Sequence, residues 1–226
     1  MLLLACYVVT PEPSSEVTVQ GWVYDSPLAG EGEVISTGSV TYLDNNLVEL
    51  TEAEQPFPSY PGYWRATIPA DEEYNLVIDG GEGYHPAIWR GRAPTGDAQS
   101  FPVFGFRSEQ VDTFFEDLEA VTGVDVHVGT EDLVHVWGSP NDPESVSGDE
   151  IGVYANGGAG GVLAFAVNDE GVLEQTVDSP VHYFFAFNLE PGEIVVAFDQ
   201  DGVVTEEAYA TVGGDIVAPW YFEGTR

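Results

Sequence analysis

The sequence predicts an all-β protein in which two antiparallel β-sandwiches follow each other and one amphipathic α-helix connects them. Short apolar or alternating runs, rich in Val, Ile, Tyr and Trp, are separated by turn residues at intervals of roughly ten residues. One stretch near the middle of the chain has helical periodicity instead, and β-type runs resume after it. Of the 226 residues, 43% are hydrophobic and 12% aromatic, which is enough to build a core and argues against disorder.

The first series of runs predicts a β-sandwich over residues 17–107. Its clearest member, from Val17 to Tyr24, alternates with period two, as a half-buried strand does. Turn-forming residues at 25–30 and 69–73 separate neighbouring runs. The runs lie at 17–24, 39–43, 47–50, 63–68, 74–78, 87–89 and 101–106.

Residues 108–123 are predicted to form the connecting helix. Ser108 can cap its amino end, where Glu109 and Asp112 are also favoured by the helix dipole. Gly123 stands where a left-handed residue commonly ends a helix. We expect the helix to dock its apolar stripe on one sandwich. The stripe follows the spacing i, i+3, i+4, i+7 and i+10 and consists of Val111, Phe114, Phe115, Leu118 and Val121.

A second series of runs predicts another sandwich over residues 124–226. The runs lie at 133–137, 151–154, 162–167, 172–177, 181–187, 194–198 and 216–222. A faint internal repeat, with Val17 and Val19 matching Val134 and Val136, suggests that both sandwiches are of one type.

The segment Phe187–Val196 has an Asn-apolar-x-Pro-Gly turn between two runs that predict strands. Through this segment, the second half resembles the carboxypeptidase regulatory-like, or transthyretin-like, β-sandwich family, which is Ig-like in its broad architecture. Pro191 and Gly192 also suit the backbone angles of a type II turn. The first half has the family's opening at Gly21–Gly30, but its turn at Ile68-Pro69-Ala70 lacks the expected glycine. The resemblance implies accessory, structural or binding modules of secreted and surface proteins and transfers no catalytic residue.

Residues 1–16 predict a lipid anchor followed by a polar tether. Leu3-Leu4-Ala5-Cys6 resembles the bacterial lipobox, in which the cysteine becomes the lipidated residue. This predicts a location in the cell envelope, and Tyr7 after the cysteine favours the outer membrane or the extracellular surface. Because Cys6 is the only cysteine, no disulfide can form within the chain. The alternative is an ordinary buried cysteine after an apolar start.

The charge balance excludes several classes of partner. The chain has 5 basic residues, all arginine, and 39 acidic residues, for a net charge of −34. Nucleic acid and anionic membranes both require a cationic surface. We therefore expect no binding to nucleic acid, and association with a membrane only through the lipid anchor. We interpret the surplus as a solvated or salt-adapted surface.

A calcium site is the sharpest candidate among the acidic residues. Asp199 and Asp201 precede Gly202, and Glu206 follows within reach, so several oxygen ligands could gather at one turn. The complete EF-hand pattern is absent. The alternative is a plain hairpin turn in which the carboxylates bind backbone amides.

Carbohydrate binding is a second candidate. Phe57 and Tyr60 lie in a loop rich in proline and aromatic residues, and sugar rings stack on exposed aromatic faces. A polysaccharide or a surface protein is therefore a candidate partner.

The sequence gives little support for an enzymatic activity. The four histidines form no metal-binding motif, and there is no Gly-x-Ser-x-Gly nucleophile motif. The transthyretin-like fold does host iron dioxygenases, but Tyr84-His85 lacks their paired histidines. We therefore predict a non-enzymatic surface lipoprotein acting in display, scaffolding or recognition. A carbohydrate-binding accessory module and a metal-dependent enzyme are the alternatives.

Overall fold

The computed structural model describes most of the chain. The described residues are 16–25, 34–35, 38–43, 49–52, 62–92, 99–100, 103–127, 132–140, 142–170, 172–200 and 203–222. Strands of the first half are β1 Glu16–Tyr24, β2 Ser39–Leu43, β3 Glu49–Glu52, β4 Tyr63–Pro69, β5 Glu73–Asp79, β6 Tyr84–His85, β7 Ala87–Arg92, β8 Gln99–Ser100, β9 Val103–Phe104 and β10 Phe106–Arg107.

The helix α1 (Ser108–Thr122) opens the second half. Its strands are β11 Val134–Pro140, β12 Ile151–Ala155, β13 Gly158–Ala159, β14 Val162–Val167, β15 Leu173–Thr176, β16 Tyr183–Leu189, β17 Glu193–Gln200, β18 Val203–Ala210, β19 Ile216–Val217 and β20 Trp220–Phe222. Two short 3-10 helices occupy Pro143–Ser145 and Gly148–Glu150. The predicted fold class, all-β with one helix, is confirmed.

One central sheet runs through both halves of the chain. Its strand order is β15-β14-β16-β11-β19-β7-β5-β2-β3. The pairing of β19 with β7 links the halves, because β19 comes from the end of the chain and β7 from the first half. The predicted sandwiches over 17–107 and 124–226 therefore share a sheet, and the division of the chain into domains at these bounds stays a prediction.

Two smaller sheets pack on opposite faces of the central sheet. One contains β4, β1, β8 and β9, and its buried residues join those of β5, β7 and α1 in a first hydrophobic cluster. The other contains β13, β12, β17 and β18, and its buried residues join those of β11, β14 and β16 in a second cluster. Strand alternation explains the division, since Trp137 and Phe185 point into the first cluster while Val136 and Phe184 point into the second.

The sequence predicts antiparallel pairing throughout, but several strand pairs are parallel. β1 pairs in parallel with β8 and β9, and β11 pairs in parallel with β19 and β20. The pair β19 and β7 is also parallel. These strands are far apart in sequence, so no hairpin imposes an antiparallel direction on them.

The helix begins at Ser108, as predicted, and ends at Thr122, but its amino-terminal cap differs from the prediction. Its N-cap is Arg107 and makes no side-chain capping bond. The expected cap, Ser108, lies inside the first turn, because β10 leads directly into the helix and the Ser108 N–H donates to the Gly83 carbonyl at 2.9 Å. The carboxyl end is as predicted: Gly123 has φ 72° and its N–H donates to the Glu119 carbonyl. Val121 was expected in the apolar stripe but is 79% exposed.

Candidate functional site

The helix docks on an aromatic surface of the second half. Phe114 stacks on Trp137 with ring centroids 4.9 Å apart. Phe115 meets the edge of Phe187 at 5.2 Å. Since β10 holds the start of the helix against β6 of the first half, α1 contacts both halves. The predicted docking through Phe114 and Phe115 is thus confirmed by these contacts.

Two histidines, His85 and His135, lie beside this helix. The His85 Nε2 lies 3.1 Å from the Asp112 Oδ1. His135 is buried, with its ring 5.3 Å from Phe115 and 6.0 Å from Phe187. Burial, and then the neighbouring His85, lower the pKa of His135 to about 4. In the described part of the chain, no three His, Cys, Asp or Glu side chains are arranged to hold a metal ion.

The buried His135 predicts a loss of stability in acid. Its pKa is about 4 in the folded state against about 6.5 for a free histidine side chain, so the folded protein favours the neutral ring. The stabilisation is complete above pH 6.5 and is lost as the pH falls through 4, at a cost of about 3 kcal/mol. Denaturant unfolding of the wild type and of His135→Gln at several pH values measures this. The difference in unfolding free energy between the two proteins should shrink on acidification, and a constant difference would contradict the prediction.

The carboxyl end of α1 borders a cavity of about 650 Å³. It is lined by Glu116, Glu119, Ala120, Gly123, Asp125, Val126 and His127. Three of these seven residues carry carboxylates, and the carboxyl end of a helix adds partial negative charge. The Nδ1 of His127 lies 3.6 Å from Asp125 Oδ1. The cavity therefore repels anions and favours cationic groups, and none of its lining side chains is a hydroxyl or thiol nucleophile.

Asn188 fixes the chain segment along one side of this cavity. Its Nδ2 donates to the Asp125 carbonyl at 2.6 Å, and its Oδ1 accepts from the His127 N–H at 2.9 Å. Its backbone is left-handed, with φ 56°. This is the asparagine of the Asn-apolar-x-Pro-Gly segment, which sequence reasoning treated only as turn chemistry. The asparagine could therefore be recognised in the sequence, but its distant partners, Asp125 and His127, could not.

Replacing Asn188 by alanine should lower the free energy of unfolding by about 2 kcal/mol. Two hydrogen bonds are lost, and a Cβ-bearing residue without a side-chain acceptor must hold the left-handed conformation. Asn188→Gly is the matched control, because glycine relieves the backbone strain while losing the same bonds. We expect it to cost less than alanine in denaturant unfolding, and equal costs would contradict the account of strain.

The hairpin formed by β17 and β18 contains two of the three residues of the predicted calcium site. Asp199 lies at an exposed position of β17, and Glu206 lies at an exposed position of β18. Asp199 pairs with Val204, and Glu206 pairs with Ala197, so the two carboxylates share one face of the hairpin on a diagonal. Asp201 lies outside the described residues, between Gln200 and Val203. Calcium binding stays a prediction.

The other predicted site residues also lie outside the described ranges. These are the anchor Cys6 and the loop aromatics Phe57 and Tyr60. Trp64, which follows that loop, is fully buried in the first hydrophobic cluster. Lipid attachment and carbohydrate stacking stay predictions.

Comparison with models of protein families finds no match, and no curated protein matches the chain. Solved structures do give weak matches. The TIE protein of Bacillus anthracis is 12% identical with a TM-score of 0.32, over 90% of this chain and 33% of that one. BcpA, the major pilin subunit of Bacillus cereus, is 10% identical with a TM-score of 0.31, over 91% and 69%.

A third solved structure is similar at the same low level. GBS52, the minor pilin of Streptococcus agalactiae, is 11% identical with a TM-score of 0.23, over 93% of this chain and 98% of that one. The chain spans only a third of the TIE protein. At these identities and TM-scores, the likeness assigns neither a family nor a function. The resemblance to carboxypeptidase regulatory-like domains stays a prediction.

Across the described ranges, no helix combines the length and the apolar character that crossing a bilayer requires.

Proposed function

We propose that the protein is a non-enzymatic, surface-anchored bacterial lipoprotein that acts in display, scaffolding or recognition outside the cytoplasm. The observation that carries this proposal is the central sheet shared by both halves. A display module has to keep its surface in a fixed geometry. A chain with one cysteine cannot do so through internal disulfides, so packing has to supply the rigidity.

Both faces of the central sheet contribute to this rigidity. The first cluster fixes α1 and the sheet that contains β4, β1, β8 and β9 on one face, and the second cluster fixes the hairpin of β17 and β18 on the other face. Arg90 adds a polar tie between the halves, because its guanidinium donates to the Ala208 carbonyl at 2.7 Å and to Glu73 at 2.6 Å. These contacts leave an acidic outer surface, which keeps the molecule soluble and apart from phosphate-bearing surfaces.

The lipobox-like segment supplies the anchor in this proposal. Acyl chains on Cys6 would give the membrane affinity that a surface of net charge −34 lacks, at about 0.8 kcal/mol for each buried CH₂ group. The predicted tether would then act as the spacer between the membrane and β1, which begins at Glu16.

Metabolic labelling with a fatty-acid analogue tests the proposal in cells that express the protein from its native gene. We expect the wild type to be labelled and to be accessible to protease added to intact cells. Cys6→Ala should lose the label, while Thr10→Ala, a change within the tether, should keep it. An unlabelled wild type, or a label that survives in Cys6→Ala, would refute lipid anchoring.

A further inference from the structure

Strand β19 is the seam of the central sheet. The Ile216 N–H donates to the Pro86 carbonyl at 2.8 Å, and the Ala218 N–H donates to the Ile88 carbonyl at 2.9 Å. On its other side, β19 pairs with His135 and Val136 of β11. Among the described strands, no other ladder joins the first half of the chain to the second, so opening β19 would divide the sheet.

The residue directly before β19 is a buried carboxylate. Asp215 is 4% exposed, and its Oδ2 accepts from the Val212 N–H at 2.7 Å. This bond closes the turn that carries the chain from β18 into the seam. Gly214 within the turn has φ 89°, and its N–H donates to the Leu133 carbonyl at 2.9 Å. Asp215 thereby sets where β19 enters the sheet.

No cation compensates this carboxylate in the described surroundings. The influences on its pKa are burial, which raises the value to about 6, and the Val212 N–H, which lowers it. The His135 ring points into the first hydrophobic cluster beside Phe115, although its backbone N–H donates to the Asp215 carbonyl at 3.2 Å. The other titratable and charged groups on the elements around this turn are Asp132 before β11, His85 beside Pro86, Arg90 on β7, Glu206, Glu207 and Tyr209 on β18, and Glu190 and Glu193 at the β16–β17 turn.

We propose that Asp215 makes β19 a pH-sensitive latch between the two halves. The pairing of β19 with β7 and β11 is most stable in mildly acidic solution, where the Asp215 carboxyl group is neutral. The pairing is less stable at neutral and alkaline pH, where an ionised carboxylate is held away from water. The sign follows from linkage: a folded-state pKa above the unfolded value gives stability that is complete below the unfolded value. That stability is lost as the pH rises through about 6. This inference is independent of the proposed surface function.

Hydrogen exchange at the Ile216 and Ala218 amides tests the latch. Protection factors, corrected for intrinsic exchange, are compared at about pH 5 and about pH 7.5. For a local opening of β19 that leaves the His135 ring packed against Phe115, we expect wild-type protection to fall about tenfold between these values. Asp215→Asn keeps an acceptor for the Val212 N–H but cannot ionise, so its protection should not fall. Asp199→Asn, which removes an exposed carboxylate on β17, is the matched control and should behave as the wild type.

Two outcomes would overturn the latch: wild-type protection that does not change with pH, or a tenfold fall that persists in Asp215→Asn. If Asp215→Asn does not fold, a carbon-13 titration of the wild-type Asp215 carboxyl group decides. A midpoint near 6 would support the proposal. A midpoint near the ordinary value of about 4 would overturn it.

Discussion

Replacing Phe185 by alanine should lower the free energy of unfolding by about 3–5 kcal/mol. Phe185 is fully buried, lies parallel to Phe187 at 5.8 Å, and meets the edge of Phe165 at 5.6 Å. Its ring also packs against Trp137 at 5.3 Å. Removing it leaves a cavity in the first hydrophobic cluster, which contains residues of both halves of the chain.

Denaturant unfolding measures this loss, with Val121→Ala as the control. Val121 is 79% exposed on α1, so its truncation should change the free energy by less than about 0.5 kcal/mol. A cost below about 1 kcal/mol for Phe185→Ala would contradict the packing described for this cluster.

Sodium chloride should raise the melting temperature by about 10 °C between about 0.05 M and about 1 M. The net charge of −34 makes the folded chain repel itself, and salt at this concentration screens charges over a few ångströms. Thermal unfolding of the protein lacking Cys6 measures the effect. A melting temperature that does not respond to salt would contradict self-repulsion as a main cost of folding.

The same measurement separates screening from specific calcium binding. Calcium at millimolar concentration is compared with magnesium and with sodium chloride at matched ionic strength. A rise specific to calcium that disappears in Asp199→Ala would support the predicted site at Asp199, Asp201 and Glu206 through binding to the folded state. An equal response to all three salts would leave screening as the whole explanation.

The strands and the helix were largely predictable because their signals are local. The runs at 39–43 and 162–167 coincide with β2 and β14, and α1 ends directly before the predicted left-handed glycine, Gly123. β18 was not predicted, because Glu206 suggested a calcium ligand and not a strand. Glu207 faces inward, where it accepts a hydrogen bond from Tyr209 at 2.6 Å, and burial raises its pKa.

The arrangement of the halves could not be predicted from the sequence. Val217 of β19 pairs with Ile88 of β7, and no local pattern specifies a partner so far away along the chain. The cavity beside α1 was missed for the same reason. Its shape depends on Asn188, whose side chain reaches back to Asp125 and His127.

Equilibrium unfolding followed separately in each half tests the central claim, that one shared sheet makes the protein a single scaffold. Peptide-resolved hydrogen exchange across a urea titration reports β1 and β4 of the first half alongside β16 and β17 of the second. The shared sheet and the first hydrophobic cluster predict one transition, with coincident midpoints for all four strands. Two separate transitions, with one half still protected after the other has unfolded, would contradict it.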